Sequence, residues 1–181
     1  MELSKSSSGH YFYSLGKGEP LLLLHGFPDC AENFSHQLTF FAENGYQVIA
    51  PFLPGYHPED EELDTYQSLR IAEEIIKFTK SVTDQKISLF GHDWGASIAY
   101  GMAGLEPDLI KKMITVSVPH GISVGAAFLS DGDQQRKSWY MFFFQLPIAD
   151  LAVPHNNFNF IERLWMDWSP NWPEYKSYAD K

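Results

Sequence analysis

The chain has 181 residues, 44% of them apolar and 15% aromatic, which is enough for a domain with a sizeable core and unlike a disordered or fibrous chain. Thirteen Lys and Arg against 23 Asp and Glu leave a net charge of −10, which argues against nucleic acid and anionic membrane surfaces as partners. A single cysteine, Cys30, excludes an internal disulfide framework and fits a reducing compartment. Residues 1–10 are polar and Ser-rich with no apolar signal-peptide core, and no stretch approaches the roughly 18 apolar residues of a membrane span. A cytoplasmic protein is the expectation.

Apolar runs and amphipathic segments alternate from residue 10 to about residue 118. "HYFYSLGKGEP" reads as a strand with a Gly-rich turn. "LLLLHG" follows as a strand apolar on both faces, the kind buried in a parallel sheet, and it stops abruptly at His25-Gly26. "AENFSHQLTFFAENGY" has helical spacing and ends on Asn44-Gly45, a helix stop signal. After the short strand "QVIAPF", Asp64-Thr65 are expected to open a second helix with Leu69, Ala72, Ile75, Ile76, Thr79 and Val82 on one face. The strand "KISLF" runs into "GHDWG", then into the small-residue helix "ASIAYGMAGLE", which Glu106-Pro107 breaks. "KKMITVSVPHG" is a further strand. This order implies an α/β fold with a doubly wound, mostly parallel sheet.

After Gly121 the texture changes: "SWYMFFFQLPIAD" and "NNFNFIERLWMDWSPNWPEY" are dense in aromatics and broken by prolines, and four of the five tryptophans lie there. The expected division is a core over 1–119 and a second domain over 120–181.

The most specific feature is Gly91-His92-Asp93-Trp94-Gly95 between a strand and a helix. A nucleophile on such a turn is held in a strained conformation, and glycines on either side relieve crowding there. Aspartate at its centre is already ionised at neutral pH, so it needs no base before it attacks. It suits displacement at a saturated carbon, giving an alkyl ester that a water, activated by a general base, must then hydrolyse. Backbone N–H groups of Trp94 and of Phe27, in the loop after "LLLLHG", are the expected donors to the ester oxyanion. An aspartate at a strand–helix junction also makes a good helix cap, so the elbow alone leaves two readings open.

Together, "HGFP" and "GHDWGA" resemble the α/β-hydrolase superfamily, in the branch of epoxide hydrolases and haloalkane dehalogenases, and "SWYMFFFQLP" with "LWMDWSP" resembles the cap of its epoxide-hydrolase-like members. The resemblance covers nearly the whole chain. It implies Asp93 as nucleophile, Phe27 and Trp94 as oxyanion donors, and a pocket that includes Pro28, Trp139, Phe143 and Phe144. The family's cap tyrosine precedes the Gln of an "FQxP" motif, and counting back from Gln145 gives Tyr140. A phenol can donate to an alkoxide as it forms.

Phe27 stands where haloalkane dehalogenases carry a polar, halide-binding residue, and no arginine follows the nucleophile as in enzymes of haloacids; an epoxide with an apolar body is favoured. Where many members have an Asp and an Arg after the next strand, this chain has Phe52 and Pro54. None of the seven histidines occupies the family's base position. His25, His92 and His120 have structural contexts, and His10, His36, His57 and His155 have bland ones.

The expectation is therefore the N-terminal portion of a larger hydrolase, with the C-terminal part of the core and the rest of the cap missing, inactive unless a complementary chain or an oligomer completes it. An apolar edge strand at "MITVSV" points the same way, since natural proteins avoid such edges. No metal cluster or cofactor-binding loop is present, so no cofactor is implied. A dehalogenase and a non-catalytic ligand-binding fragment remain alternatives.

Overall fold

Residues 2–172 are described by a computed structural model. Its first two strands, β1 (Leu3–Lys5) and β2 (Tyr11–Leu15), pair antiparallel, and β2 pairs antiparallel with β4 (Tyr46–Pro51). By sequence the residues of β1 belong to a polar N-terminus; pairing with β2 makes them a strand. Between β2 and β4 come β3 (Glu19–Leu24), a 3₁₀ turn over Ala31–Phe34 and helix α1 (Ser35–Glu43). Gly45, at φ +87, ends that helix where the Asn44-Gly45 signal placed its stop.

Helix α2 (Ser68–Val82), β5 (Ile87–His92), α3 (Trp94–Leu105) and β6 (Ile110–Val116) follow. The sheet order is β1-β2-β4-β3-β5-β6, and the four strands β4, β3, β5 and β6 run parallel. The fold is α/β, with a mostly parallel sheet covered on both faces.

The four leucines of β3 show how the sheet is covered. Leu21 and Leu23 point to the side of α1, where they meet Leu38, Val48 and Ala50. Leu22 and Leu24 point to the other side, into a core built with Ile49, Leu89, Ile71 and Ile75 of α2, and Ile98 and Met102 of α3. Small residues let the two helices on that side approach: a Cβ at Gly101 of α3 would lie 3.0 Å from that of Ala72 in α2.

Two details of α2 differ from expectation. The helix begins at Ser68, because Gln67 is extended (φ −65, ψ 142) and Asp64 pairs with the Arg70 guanidinium at 3.1 Å instead of opening the helix. Leu69, assigned to the buried face, is 60% exposed, and Phe78 and Ile71 are buried instead. The rest of the expected face holds, with Ala72, Ile75, Ile76 and Thr79 buried; the buried stripe enters the first turn at Ile71 and leaves Leu69 at its margin.

At the amino ends of the parallel strands, Glu19 of β3 accepts from Ser88 of β5 at 2.9 Å and from Lys111 of β6 at 2.7 Å. One carboxylate thereby joins three strands. Strand β6 forms the sheet edge and exposes Ile114 and Val116.

The chain divides between Ile122 and Ser123 into two compact units. The second is helical: α4 (Gly121–Ser130) bridges into it, followed by α5 (Gly132–Lys137), α6 (Trp139–Phe143), α7 (Ala149–Ala152) and α8 (His155–Trp168). Asp131 caps α5 by accepting from the Asp133 and Gln134 N–H groups. The segment of α8 opens with Asn156, Asn157 and Phe158 in left-handed conformation before regular helix sets in. Residues 173–181 of the expected second domain lie outside the described residues.

Truncating two apolar residues of α2 separates the buried face from the exposed one. Ile75→Ala, at a fully buried position, should cost about 2–5 kcal/mol in urea unfolding, whereas Leu69→Ala should stay within about 0.5 kcal/mol.

Candidate active site

Strands β3 and β5 are neighbours in register, with Leu24 opposite Gly91, so the residues that follow each strand meet at the carboxyl edge of the sheet. This is where open α/β sheets bind ligands. The chain leaves β5 through His92 and Asp93 and enters α3 at once. Asp93 takes φ 54 and ψ −117, a conformation costing about 1–3 kcal/mol for a residue with a side chain.

Glycines make this turn possible through close approach. A Cβ at Gly95 would overlap the carbonyl oxygens of Leu24 and His25, and one at Gly91 would overlap the Gly95 carbonyl. The first turn of α3 is thus pressed against the end of β3. From the opposite side, a Cβ at Gly26 would collide with the Asp93 side chain.

The Asp93 carboxylate makes no capping bond to α3. Its Oδ1 instead accepts the Phe27 N–H at 3.0 Å, across the gap between the two loops. Of the two readings open for this aspartate, helix capping does not describe its side chain. Its main chain is held as well: its N–H donates to the Val116 carbonyl of β6 at 3.1 Å, and its own carbonyl accepts from Ala96 at 2.9 Å.

His25 explains why the leucine run stops on a histidine. Its Nε2 accepts the Leu53 N–H at 3.0 Å, which leaves the proton on Nδ1 to donate to the Gly26 carbonyl at 3.1 Å. The buried ring ties the loop after β3 to the loop after β4. Burial pushes its pKa down to about 4, and a second proton would set an N–H against the Leu53 N–H.

Two further residues, which no sequence motif marks, join the site. Tyr56, in the loop after β4, sets its ring edge-on to His25 at 4.6 Å and lies 6.1 Å from the Trp94 ring. Burial first, and the negative charge of Asp93 second, raise its pKa. Asp29 lies in the loop after "HGFP", with Oδ2 3.7 Å from His92 Nδ1, a second link between that loop and the elbow. Phe52, where the family pattern has a carboxylate, is buried in the apolar cluster on the α1 side.

The candidate residues fall into two groups. Phe27, Pro28, Asp93 and Trp94 belong to the first unit, with Pro28 joined to Phe27 by a cis peptide bond. Trp94 directly follows Asp93 as the first residue of α3, and its indole N–H donates to Ser68 at 3.3 Å. Tyr140, Trp139, Phe143 and Phe144 belong to the second unit. There Trp139, Phe143 and Phe144 surround Phe160, with Phe143 stacked on it at 5.2 Å, and Tyr140 lies 4.7 Å from the Trp168 ring. Phe160 had not been picked out in the sequence. It lies in a helix whose first turn is irregular, and no motif marks it.

Residues 19–163 match the alpha/beta hydrolase fold family. The chain belongs to that family. Among curated relatives of this alpha/beta hydrolase, the AB hydrolase superfamily protein YfhM of Bacillus subtilis is 32% identical over 149 residues, covering 81% of this chain and 52% of that protein. Epoxide hydrolase 4 of Homo sapiens is 32% identical over 164 residues, covering 88% and 45%. A crystal structure of Bacillus megaterium epoxide hydrolase in complex with an inhibitor superposes with a TM-score of 0.81 at 28% identity, covering 93% of this chain and 60% of that one. The chain spans about half the length of the curated relatives it matches. No helix among the described residues is long and apolar enough to cross a membrane.

Two measurements test the construction of this elbow. Gly95→Ala should lower stability in urea unfolding by about 1–3 kcal/mol, because the obstructing atoms are backbone. The folded pKa of His25 lies below its ordinary value of 6.5, so the unfolded chain binds the proton first as pH falls. Its contribution is intact above pH 6.5 and is lost between pH 6.5 and about 4, on the order of 3 kcal/mol in all. In His25→Gln the stability–pH profile should be flatter across that window.

Proposed function

We propose that this chain carries the nucleophilic site of an epoxide hydrolase. The observation that carries the reading is the Asp93 carboxylate at the elbow, uncapped by its own helix and held by the Phe27 N–H at 3.0 Å. With Oδ1 occupied by that donor, Oδ2 is the oxygen that attacks.

Oδ2 forms a bond to an oxirane carbon, and the ring C–O bond breaks with its electron pair going to the ring oxygen. That oxygen takes a proton from the Tyr140 hydroxyl. Oδ1 becomes the carbonyl oxygen of the resulting ester, already in place against the Phe27 N–H. When water adds to the ester, the charge on that oxygen grows where a donor already points, and the Trp94 N–H is the second donor. A general base takes a proton from that water as it adds; the bond between the ester carbon and the diol oxygen then breaks. Of the water's two protons one goes to the diol oxygen and one restores Tyr140, so that Asp93 is released as a carboxylate with a vicinal diol as the product.

Relatives named epoxide hydrolase support the substrate class, among them an epoxide hydrolase from Bacillus megaterium, a mutant of which was crystallised with its product, a naphthyloxy propanediol. In this reading the second unit, 123–181, is a cap whose aromatic cluster accepts the apolar body of the substrate.

Alkylation of Asp93 is the step this site performs by itself, and it is measurable on the 181-residue chain. After incubation with styrene oxide, mass spectrometry should find one added epoxide on the peptide containing Asp93. Asp93→Asn should abolish the adduct, and Tyr140→Phe should slow its formation about 10²-fold. Halide release from a simple bromoalkane without an epoxide adduct would overturn the epoxide reading in favour of a dehalogenase.

A further inference from the structure

Strand β6 ends at Val116, and the next residue, Ser117, holds φ +72. In the first unit, Asp93 and Ser117 are the described non-glycine residues with positive φ. They are neighbours across the sheet edge: His92 pairs with Val116 in the parallel ladder, and the Asp93 N–H extends that ladder onto the Val116 carbonyl.

The two strained residues are mechanically linked. The Val116 carbonyl sits on the rigid peptide plane between Val116 and Ser117. The simplest way for Ser117 to escape its left-handed conformation is for that plane to flip, which brings its φ negative while the chain path barely moves. The flip would turn the Val116 carbonyl away from Asp93. Relief of strain at Ser117 therefore costs Asp93 its main-chain anchor.

Something must hold the turn, and Tyr100 of α3 is placed to do so. Its hydroxyl lies 2.8 Å from Thr115 Oγ1 and donates to the Val118 carbonyl at 3.3 Å, bracketing Ser117 on both sides. With its one proton given to Val118, the hydroxyl accepts from Thr115. The ring packs edge-on to His120 at 5.2 Å, fixing the far side of the turn. Strained conformations persist where their surroundings over-determine them, and these contacts supply that surrounding.

We propose that Tyr100 is a positioning residue for Asp93. It clamps the 115–118 turn, keeps the Val116–Ser117 peptide plane in its strained orientation, and so holds the Asp93 main chain in the attacking geometry; the catalytic sense of this inference rests on Asp93 being the nucleophile.

The test pairs a variant that releases the clamp with one that makes it unnecessary. Tyr100→Phe removes only the hydroxyl and keeps the ring against His120. Amide hydrogen exchange at Asp93, followed by NMR on the whole chain, should accelerate about tenfold while core amides such as those of Leu22 and Leu23 stay protected. Alkylation of Asp93 by styrene oxide should slow by a similar factor. Glycine adopts positive φ without strain, so the double variant Tyr100→Phe, Ser117→Gly should regain both values. A fold support of no particular consequence for Asp93 would instead accelerate exchange across the sheet, and glycine would not repair it. Uniform loss of protection, no change at Asp93, or absence of rescue overturns the proposal. If the unmodified chain is never alkylated but the exchange pattern at Asp93 moves and recovers as described, the nucleophile reading fails and the clamp stands.

Discussion

The site depends on how closely the start of α3 approaches the end of β3. With no side chain at Gly95, the helix rests on the carbonyls of Leu24 and His25, and the turn before it has no room to be anything but sharp. From that approach follow the strained conformation of Asp93, the side chain standing clear of the helix, and the reach of Oδ1 to the Phe27 N–H. A wider gap would let the aspartate relax into an ordinary cap, and the carboxylate would turn toward the helix.

In the proposed reaction the fold around that contact has a donor in place before any charge develops. The Phe27 N–H already points at the oxygen it would stabilise, and the loop that carries it is tied to the next loop through the buried His25 ring. Such preorganisation avoids reorganisation at the moment of reaction. The cost is carried by the interior: a buried imidazole that must stay neutral, and a tyrosine, Tyr56, that shares the neighbourhood of a carboxylate.

Much of this could be read from the residues. Apolarity on both faces marked β3 as a central parallel strand, and the glycines around Asp93 marked the elbow, because in each case the constraint acts on consecutive residues. Features that depend on distant pairings were not legible. The three residues of β1 carry no apolar alternation and are a strand only because β2 lies beside them. The onset of α2 was missed because Asp64, a plausible cap by type, is engaged by Arg70 from within the helix. Asp29 and Tyr56 reach the site across loops whose relative placement no local pattern encodes. The aromatics of the second unit were visible as composition, yet their gathering around Phe160 depends on the packing of α6 against α8.

The run of four identical leucines in β3 has a further consequence. Every position of the run suits either face of the sheet, so a slip of the strand by one residue would exchange leucine for leucine at three of its four positions. Apolar content cannot specify where β3 stops. The alignment is held from the two ends: by Glu19, which must meet Ser88 and Lys111, and by His25 and Gly26, which must meet Leu53 and Asp93. Polar and glycine residues at its two ends thus act as the ruler for this run of leucines, and the position of the Phe27 N–H relative to Asp93 is set by that measurement.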